Sequence, residues 1–281
     1  MEQLLDSPYA IVIIIIALFV LTAFIQRFQI KRGARKILKN QKALYSMDHE
    51  YVSVDPSSFR RLDLPWYDRT RSALEGFGYR FVDDLEDVTI TTRFPSMRTF
   101  IRCMVSGDGS TVAGMYHFKP RGLIVIALLL GGMNSQYRIL DLETEFSDGT
   151  FLCLSNSRGV DRTGDVPGIR RVQLQPSTPF PEMLEQHKSE IQHILTANRS
   201  LKPVPIFRRN DLIRSQNRLQ ALKNAHKKLI GYMDHNEMAK IAGNNLRGSG
   251  DAVADEIERL KLEEKDKPYY TGEDFTSRKH R

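Results

Sequence analysis

An uninterrupted apolar run near the N-terminus most constrains what this chain can fold into. Residues 9–26, YAIVIIIIALFVLTAFIQ, carry no charge, and twelve of the eighteen are Ile, Val, Leu or Phe. A helix of this length is about 27 Å long, close to the roughly 30 Å hydrocarbon thickness of a bilayer. The run therefore predicts a transmembrane helix over residues 8–26. Its anchoring side chains would be Ile13, Ile14, Ile15, Ile16, Leu18 and Phe19.

A cleaved secretory signal is the alternative interpretation of this run. The residues before it include Glu2 and Asp6, whereas a signal peptide carries basic residues there. No small-x-small cleavage site follows the run. The sequence therefore favours an uncleaved anchor over a cleaved signal.

A basic segment follows the apolar run. Residues 27–42 contain seven Lys and Arg and no acid, and the net charge of the whole chain is also +7. The residues outside this segment have a net charge of zero, so the charge of the chain does not indicate a nucleic-acid-binding surface. Basic flanks stay in the cytoplasm. We therefore expect a single-pass protein of the plasma (inner) membrane, with its N-terminus outside and its C-terminal domain cytoplasmic.

The same basic segment has two interpretations. It is either a plain topology signal or a helix that lies on anionic lipid headgroups. In the second case the headgroup contacts would come from Arg27, Lys31, Arg32, Arg35 and Lys36.

Beyond residue 78 the hydrophobic period changes to two, which is typical of strands. Six strand-like segments cover residues 79–86, 87–94, 97–106, 111–118, 136–146 and 150–157. Asp108-Gly109 and Asp148-Gly149 are favourable hairpin turns. Helical patterns at 65–78 and 179–197 flank these strands. The pattern predicts an α+β fold, an antiparallel meander of about six strands with helices on one face.

Changes in composition suggest a division of the chain. We expect a short extracytoplasmic N-terminus, the transmembrane helix, a juxtamembrane segment with a linker, an α+β domain, a helical appendage and a disordered tail. A basic helix at 208–230 has a leucine stripe, which favours docking on its own domain over RNA or membrane contact. The six regions are residues 1–7, 8–26, 27–64, 65–200, 201–265 and 266–281.

The sequence contains no recognisable catalytic or metal-binding motif. His187 and His193 are six residues apart on one predicted helix, so they do not share a metal, and we expect both to face solvent. Asp141, Glu143 and Glu145 alternate along one strand. A solvated sheet face paired with Arg98 and Arg102 explains this acidic row better than a cation site does.

Residues 122–133, GLIVIALLLGGM, interrupt the strand pattern and contain no polar side chain. A buried central strand and a hydrophobic helical finger fit this segment about equally well. We favour the finger, which would contact the membrane or a partner. Its contact residues would be Leu123, Ile124, Ile126, Leu128 and Leu129.

These observations favour a membrane-anchored binding or scaffold module over an enzyme. The expected partners are the lipid bilayer and other membrane proteins, with no cofactor, no metal and no nucleic acid. The alternative is a membrane-tethered enzyme whose active site is assembled on the sheet. That site would lie around His117, Arg102, Asp141 and Glu143.

Overall fold

The computed structural model describes residues 8–119, 121, 137–157, 165–242 and 247–265. The apolar segment 122–133, with its five predicted contact residues, and the predicted tail 266–281 lie outside the described residues. Short 3-10 helices occur at Pro56–Phe59 and Pro95–Met97. The other elements are, in chain order, α1 (Pro8–Tyr45), β1 (Tyr51–Ser53), α2 (Leu64–Gly76), β2 (Arg80–Asp87), α3 (Val88–Arg93), β3 (Ile101–Val105), β4 (Val112–Phe118), β5 (Tyr137–Glu145), β6 (Phe151–Ser155), β7 (Ile169–Gln173), α4 (Phe180–Ala197), α5 (Arg209–Leu229), α6 (His235–Ala242) and α7 (Arg247–Lys265).

The chain divides into two compact units. One unit, the α/β unit, comprises residues 43–232. The other, the helical unit, comprises residues 1–42 together with 233–281.

The strands of the α/β unit form one mixed sheet. Its seven described strands lie in chain order, and all neighbours are antiparallel except β6 and β7, which are parallel. The predicted α+β class is confirmed, but the purely antiparallel meander is wrong. A parallel pair needs a long connection, and the stretch between Ser155 and Ile169 is long enough for one. β7 lies beyond the six strand-like segments that the sequence pattern predicted.

Residues 87–94 differ most from the sequence prediction. The segment DVTITTRF alternates like a strand, but residues Val88–Arg93 form the helix α3. The Asp87 side chain caps this helix by accepting a hydrogen bond from the backbone N–H of Ile90 at 3.0 Å. Strand propensity depends strongly on context, so a favourable N-cap outweighs the β-branched residues here.

Helices cover both faces of the sheet, not one face as the sequence pattern suggested. On one face α2 and α4 pack against β3, β4, β5 and β6, and we call it the α2/α4 face. On the other, α5 packs through Leu212 and Leu219, and we call it the α5 face. The leucine stripe of α5 therefore docks this helix on its own domain, as the sequence favoured. Buried α2/α4-face residues include Tyr67, Leu74, Met104, Met115, Leu140, Leu142, Leu154, Met183 and Leu184.

The helical unit contains most of α1 together with α6 and α7. Ala34 and Leu38, four residues apart on α1, are buried, as is Ile257 on α7. Lys42 pairs with Glu264 of α7. The part of α1 that carries the basic residues therefore also has an apolar stripe packed inside the protein.

The transmembrane prediction is contradicted. Among the described residues, no helix has an apolar stretch long enough to cross a bilayer. Ile16, Leu18 and Phe19 are exposed, while the side chains of residues 13–15 lie outside the description.

The predicted anchor, the single-pass topology and the inner-membrane location are therefore wrong. The predicted headgroup contacts of residues 27–36 stay a prediction, without the anchor that motivated them.

Candidate ligand-binding pocket

The four residues suggested for an active site on the sheet lie on opposite faces of it. Arg102 is in register with Met115, and His117 lies two residues beyond Met115 on β4, so both occupy the α2/α4 face. Asp141 and Glu143 alternate with the α2/α4-face leucines of β5, so they occupy the α5 face. The sheet therefore separates the two pairs, and they do not form one site.

Arg102 and His117 both connect the sheet to the region of α2. The Arg102 guanidinium donates to the carboxylate of Asp84 at 2.8 and 3.2 Å and to that of Asp68 at 2.7 Å. Nδ1 of His117 accepts a hydrogen bond from the backbone N–H of Asp63 at 2.9 Å. These contacts position α2 on the sheet, which is a structural role.

Two members of the acidic row on β5, Glu143 and Glu145, hydrogen-bond to α5, and Glu145 is buried, contrary to the solvated sheet face that the sequence predicted. Glu145 accepts a hydrogen bond from the Arg218 guanidinium at 2.7 Å, and Glu143 accepts one from the Gln216 amide. Asp141 borders a small cavity of about 60 Å³. The partners of the two glutamates therefore come from a helix and not from a neighbouring strand.

A larger cavity lies between α4 and the hairpin that joins β3 to β4. Its volume is about 300 Å³, which is at the lower end of the range for small-molecule pockets. The α4 residues that line it recur at three- and four-residue spacing, so one face of this helix forms a wall. We call this cavity the His187 pocket. It is lined by Phe77, Tyr79, Ser106, Asp108, Ser110, Thr111, Leu184, His187, Lys188, Ile191 and Gln192.

His187 is the buried polar group at this pocket. Its side chain is 0% exposed, and neither ring nitrogen has a hydrogen-bond partner among the described residues. A neutral imidazole offers one donor and one acceptor, and an unpaired buried polar group costs about 1–3 kcal/mol. Burial also lowers the pKa of His187 to about 4, so the ring is neutral at pH 7. His187 is therefore an uncharged hydrogen-bonding group at the pocket, without a hydrogen-bond partner among the described residues.

The sequence prediction for the two helix histidines was correct for one of them. His193 is exposed, whereas His187 is buried. Leu184 and Ile191 lie three residues before and four residues after His187, so this histidine sits in the apolar face of α4. This three- and four-residue spacing was the sequence signal that could have predicted the burial of His187. Across the described ranges, no group of three or more His, Cys, Asp or Glu residues could hold a metal ion.

The hairpin forms a firmly held rim of the pocket. Oδ1 of Asp108 accepts hydrogen bonds from the Ser106 hydroxyl at 2.6 Å, the Ser110 hydroxyl at 2.9 Å and the Ser110 backbone N–H at 3.0 Å. Burial raises the pKa of the Asp108 carboxyl, but these hydrogen bonds outweigh it and the net pKa is lowered. The hydroxyl of Thr111 lies 3.2 Å from that of Thr144. An ordered rim reduces the entropy cost of binding a ligand.

We expect a His187→Leu variant to lose part of the acid sensitivity of folding. The pKa of His187 is about 4 in the folded protein, against an ordinary value of 6.5. Between these two pH values the unfolded chain binds a proton that the folded chain does not. The wild type should therefore lose about 3 kcal/mol of stability as the pH falls through this range. Denaturant unfolding at pH 7 and pH 5 should show a loss about 2 kcal/mol smaller in the variant.

A second buried histidine changes the stability with pH in the opposite direction, but the wild type and the His187→Leu variant both contain it. His49 lies 2.6 Å from Asp87 and 3.0 Å from the carbonyl oxygen of Leu44. Burial lowers the pKa of His49, but these two contacts raise it more. Its stabilising contribution is therefore lost as the pH rises. The same loss occurs in the wild type and in the variant, so it does not affect the difference between them. Parallel pH dependence in the wild type and the variant would contradict the assignment to His187.

The lining of the pocket combines several hydroxyls and an aromatic wall with the buried His187. Comparison with protein-family models, with curated proteins and with solved structures finds no match to this chain. The geometry of this site is therefore the basis for inferring function.

Proposed function

We propose that the α/β unit is a binding module and that its site is the His187 pocket. The observation that carries the proposal is His187 itself, a fully buried histidine at a cavity of about 300 Å³ whose two ring nitrogens have no hydrogen-bond partner in the described part of the chain. Native proteins rarely leave buried polar atoms unpaired, and such exceptions call for a functional explanation. Neither nitrogen is accessible to solvent, so a ligand that recovers part of that cost by pairing with one of them must first displace the pocket wall.

The chemistry of the pocket supports binding over catalysis. A nucleophile needs a hydrogen-bonded base, and neither nitrogen of His187 accepts a hydrogen bond from a hydroxyl of the described residues. Cys103 and Cys153 do not line this pocket, and burial raises the pKa of both thiols, so they are not activated as thiolates. A site that holds a molecule without transforming it is consistent with these features.

A substitution that fills the pocket with a large side chain tests the proposal. Gln192 lines the pocket and is exposed, so a Gln192→Trp substitution should place an indole in the cavity without changing the core. We expect a library of neutral and charged aromatic fragments, screened by saturation-transfer NMR against the full chain, to give binders. The Gln192→Trp variant should lose those binders.

The neighbouring residue supplies the matched control. His193 is also exposed on α4 but does not line the pocket, so a His193→Trp variant should keep the binders. The proposal is wrong if no fragment binds the wild type. It is also wrong if the binders survive equally in both tryptophan variants.

A further inference from the structure

The His49 ring lies between two hydrogen-bond acceptors at the end of α1. Its Nε2 atom is 3.0 Å from the backbone carbonyl oxygen of Leu44, in the last turn of α1. Its Nδ1 atom is 2.6 Å from Oδ2 of Asp87. The side chain of His49 is 5% exposed and that of Asp87 is 11% exposed. We call this largely buried cluster of Leu44, His49 and Asp87 the His49 latch.

The two hydrogen bonds of the His49 latch require a proton on each ring nitrogen. A carbonyl oxygen only accepts hydrogen bonds, so Nε2 must donate to Leu44. A carboxylate also only accepts, so Nδ1 must donate to Asp87. A neutral imidazole has a single N–H and satisfies only one of these acceptors. A carboxyl group ordinarily loses its proton at a much lower pH than an imidazole does. The proton between the two side chains therefore belongs to His49, and the geometry of the latch is that of an imidazolium.

The groups that surround the His49 ring favour its protonated form on balance. Burial lowers the pKa of His49, and so does the charge of Lys223 on α5, but the hydrogen bonds to Asp87 and Leu44 and the charge of Asp87 raise the pKa more. The Tyr51 ring of β1 lies 6.5 Å away, and because burial raises the pKa of its hydroxyl it is uncharged. The carbonyl end of α1 also attracts a cation. The net pKa of His49 lies above its ordinary value of 6.5.

The His49 latch fastens the last turn of α1 to the start of α3. Asp87 is the N-cap of α3, and its Oδ1 atom accepts a hydrogen bond from the Ile90 N–H while its Oδ2 atom faces His49. Beside the latch, the backbone N–H of Val88 donates to the carbonyl oxygen of Glu50 at 3.0 Å. The latch therefore lies where the chain enters the α/β unit from α1.

We propose that the His49 latch is a pH-operated switch, which holds the end of α1 on α3 when His49 is protonated and releases it when His49 is neutral. Loss of the Nδ1 proton breaks the hydrogen bond to Asp87 and places a ring lone pair against the carboxylate. The stabilisation is fully present below about pH 6.5 and is lost as the pH rises through the higher pKa of the folded protein. No residue of the latch lines the His187 pocket, so the switch is independent of the function proposed above.

Hydrogen exchange of the Val88 amide in the full chain measures the state of the latch. After correction for the intrinsic base catalysis of exchange, protection in the wild type should fall about tenfold between about pH 6 and about pH 9, the effect of losing one charge-assisted hydrogen bond. A His49→Gln variant should have weak protection at both pH values. His193 is exposed on α4, so a His193→Gln variant should behave like the wild type.

An Asp87→Asn variant distinguishes a switch from a histidine that only stabilises the fold. The Asn oxygen still caps Ile90, and its amide can donate to Nδ1 of a neutral His49 ring, whose Nε2–H still donates to Leu44. This variant should therefore keep the Val88 amide protected at about pH 9, where the wild type loses protection.

NMR of the imidazole nitrogens tests the protonation of His49 directly, with the His49→Gln variant to assign the signals. Both ring nitrogens should carry a proton at about pH 6, and the ring should titrate with a pKa above 6.5. A pKa at or below that value overturns the proposal. Equal Val88 protection at the two pH values in the wild type also overturns it, as does a loss of protection in Asp87→Asn as large as that in the wild type.

Discussion

Replacement of Arg102 by methionine is expected to lower the free energy of unfolding by about 3–5 kcal/mol. Arg102 and Asp84 are each 6% exposed, and their side chains form two hydrogen bonds on the α2/α4 face. Methionine preserves much of the apolar packing but leaves Asp84 as a buried charge without its main partner. Chemical denaturation followed by circular dichroism measures the loss.

An exposed arginine provides the comparison for this prediction. Arg71 and Glu75 form an i,i+4 pair on α2 and are 41% and 44% exposed. An Arg71→Met variant should lose no more than about 1 kcal/mol, because an exposed ion pair and an exposed cation–π contact with the Phe81 ring each contribute little. The difference between the two variants reports what burial adds to an arginine–carboxylate pair.

A double variant shows whether the uncompensated charge causes the loss. If it does, Asp84→Leu combined with Arg102→Met should be more stable than Arg102→Met alone, because no buried charge remains. A double variant that is less stable than Arg102→Met alone would assign the loss to packing. A loss below about 1 kcal/mol in the single variant would contradict the prediction itself.

Replacement of Gly109 by alanine is expected to lower the free energy of unfolding by about 2–5 kcal/mol. Gly109 has φ +78°, a conformation that non-glycine residues adopt at a cost. A Cβ added there would also lie 3.0 Å from the backbone oxygen of Ile206 and 3.1 Å from its nitrogen. The Gly109 carbonyl accepts a hydrogen bond from the Ile206 N–H at 2.9 Å, so the two backbones cannot separate without losing it.

A Gly149→Ala variant distinguishes the cost of the left-handed backbone conformation from the cost of the close approach to Ile206. It occupies the equivalent turn between β5 and β6 with φ +82°, but nothing lies within 4 Å of an added Cβ. Gly149→Ala should therefore cost only the left-handed conformation, about 1–2 kcal/mol. Thermal or chemical unfolding of both variants gives the difference. Equal losses would show that the close approach to Ile206 does not contribute.

Local sequence signals predicted most of the regular elements. The period-two segments at 79–86, 97–106, 111–118, 136–146 and 150–157 contain β3 to β6 and all of β2 except its last residue, Asp87, and both Asp-Gly turns lie where the hairpins turn. These predictions succeed because alternation and positive-φ glycines are properties of neighbouring residues. The segment 87–94 failed because the capping side chain of Asp87 outweighed a strand-like composition.

Apolar length by itself was a misleading guide at the N-terminus. The run 9–26 matches a bilayer in length, but α1 continues as one helix to Tyr45 through seven basic residues. Among its described residues it lacks an apolar stretch that could cross a membrane. A hydropathy count treats the run as an isolated segment, whereas the fold uses it as one end of a longer helix.

The sequence by itself determined the α+β class, the hairpins and the helical nature of α2, α4 and α5. Only the tertiary structure decided the parallel pairing of β7, the hydrogen bonding of Glu143 and Glu145 to α5 and the His187 pocket. The pocket joins side chains from residues 77–79, 106–111 and 184–192, which are far apart in the chain. Burial of His187 depends on which helix face meets the hairpin, and that contact is set by packing between distant segments, not by any local pattern.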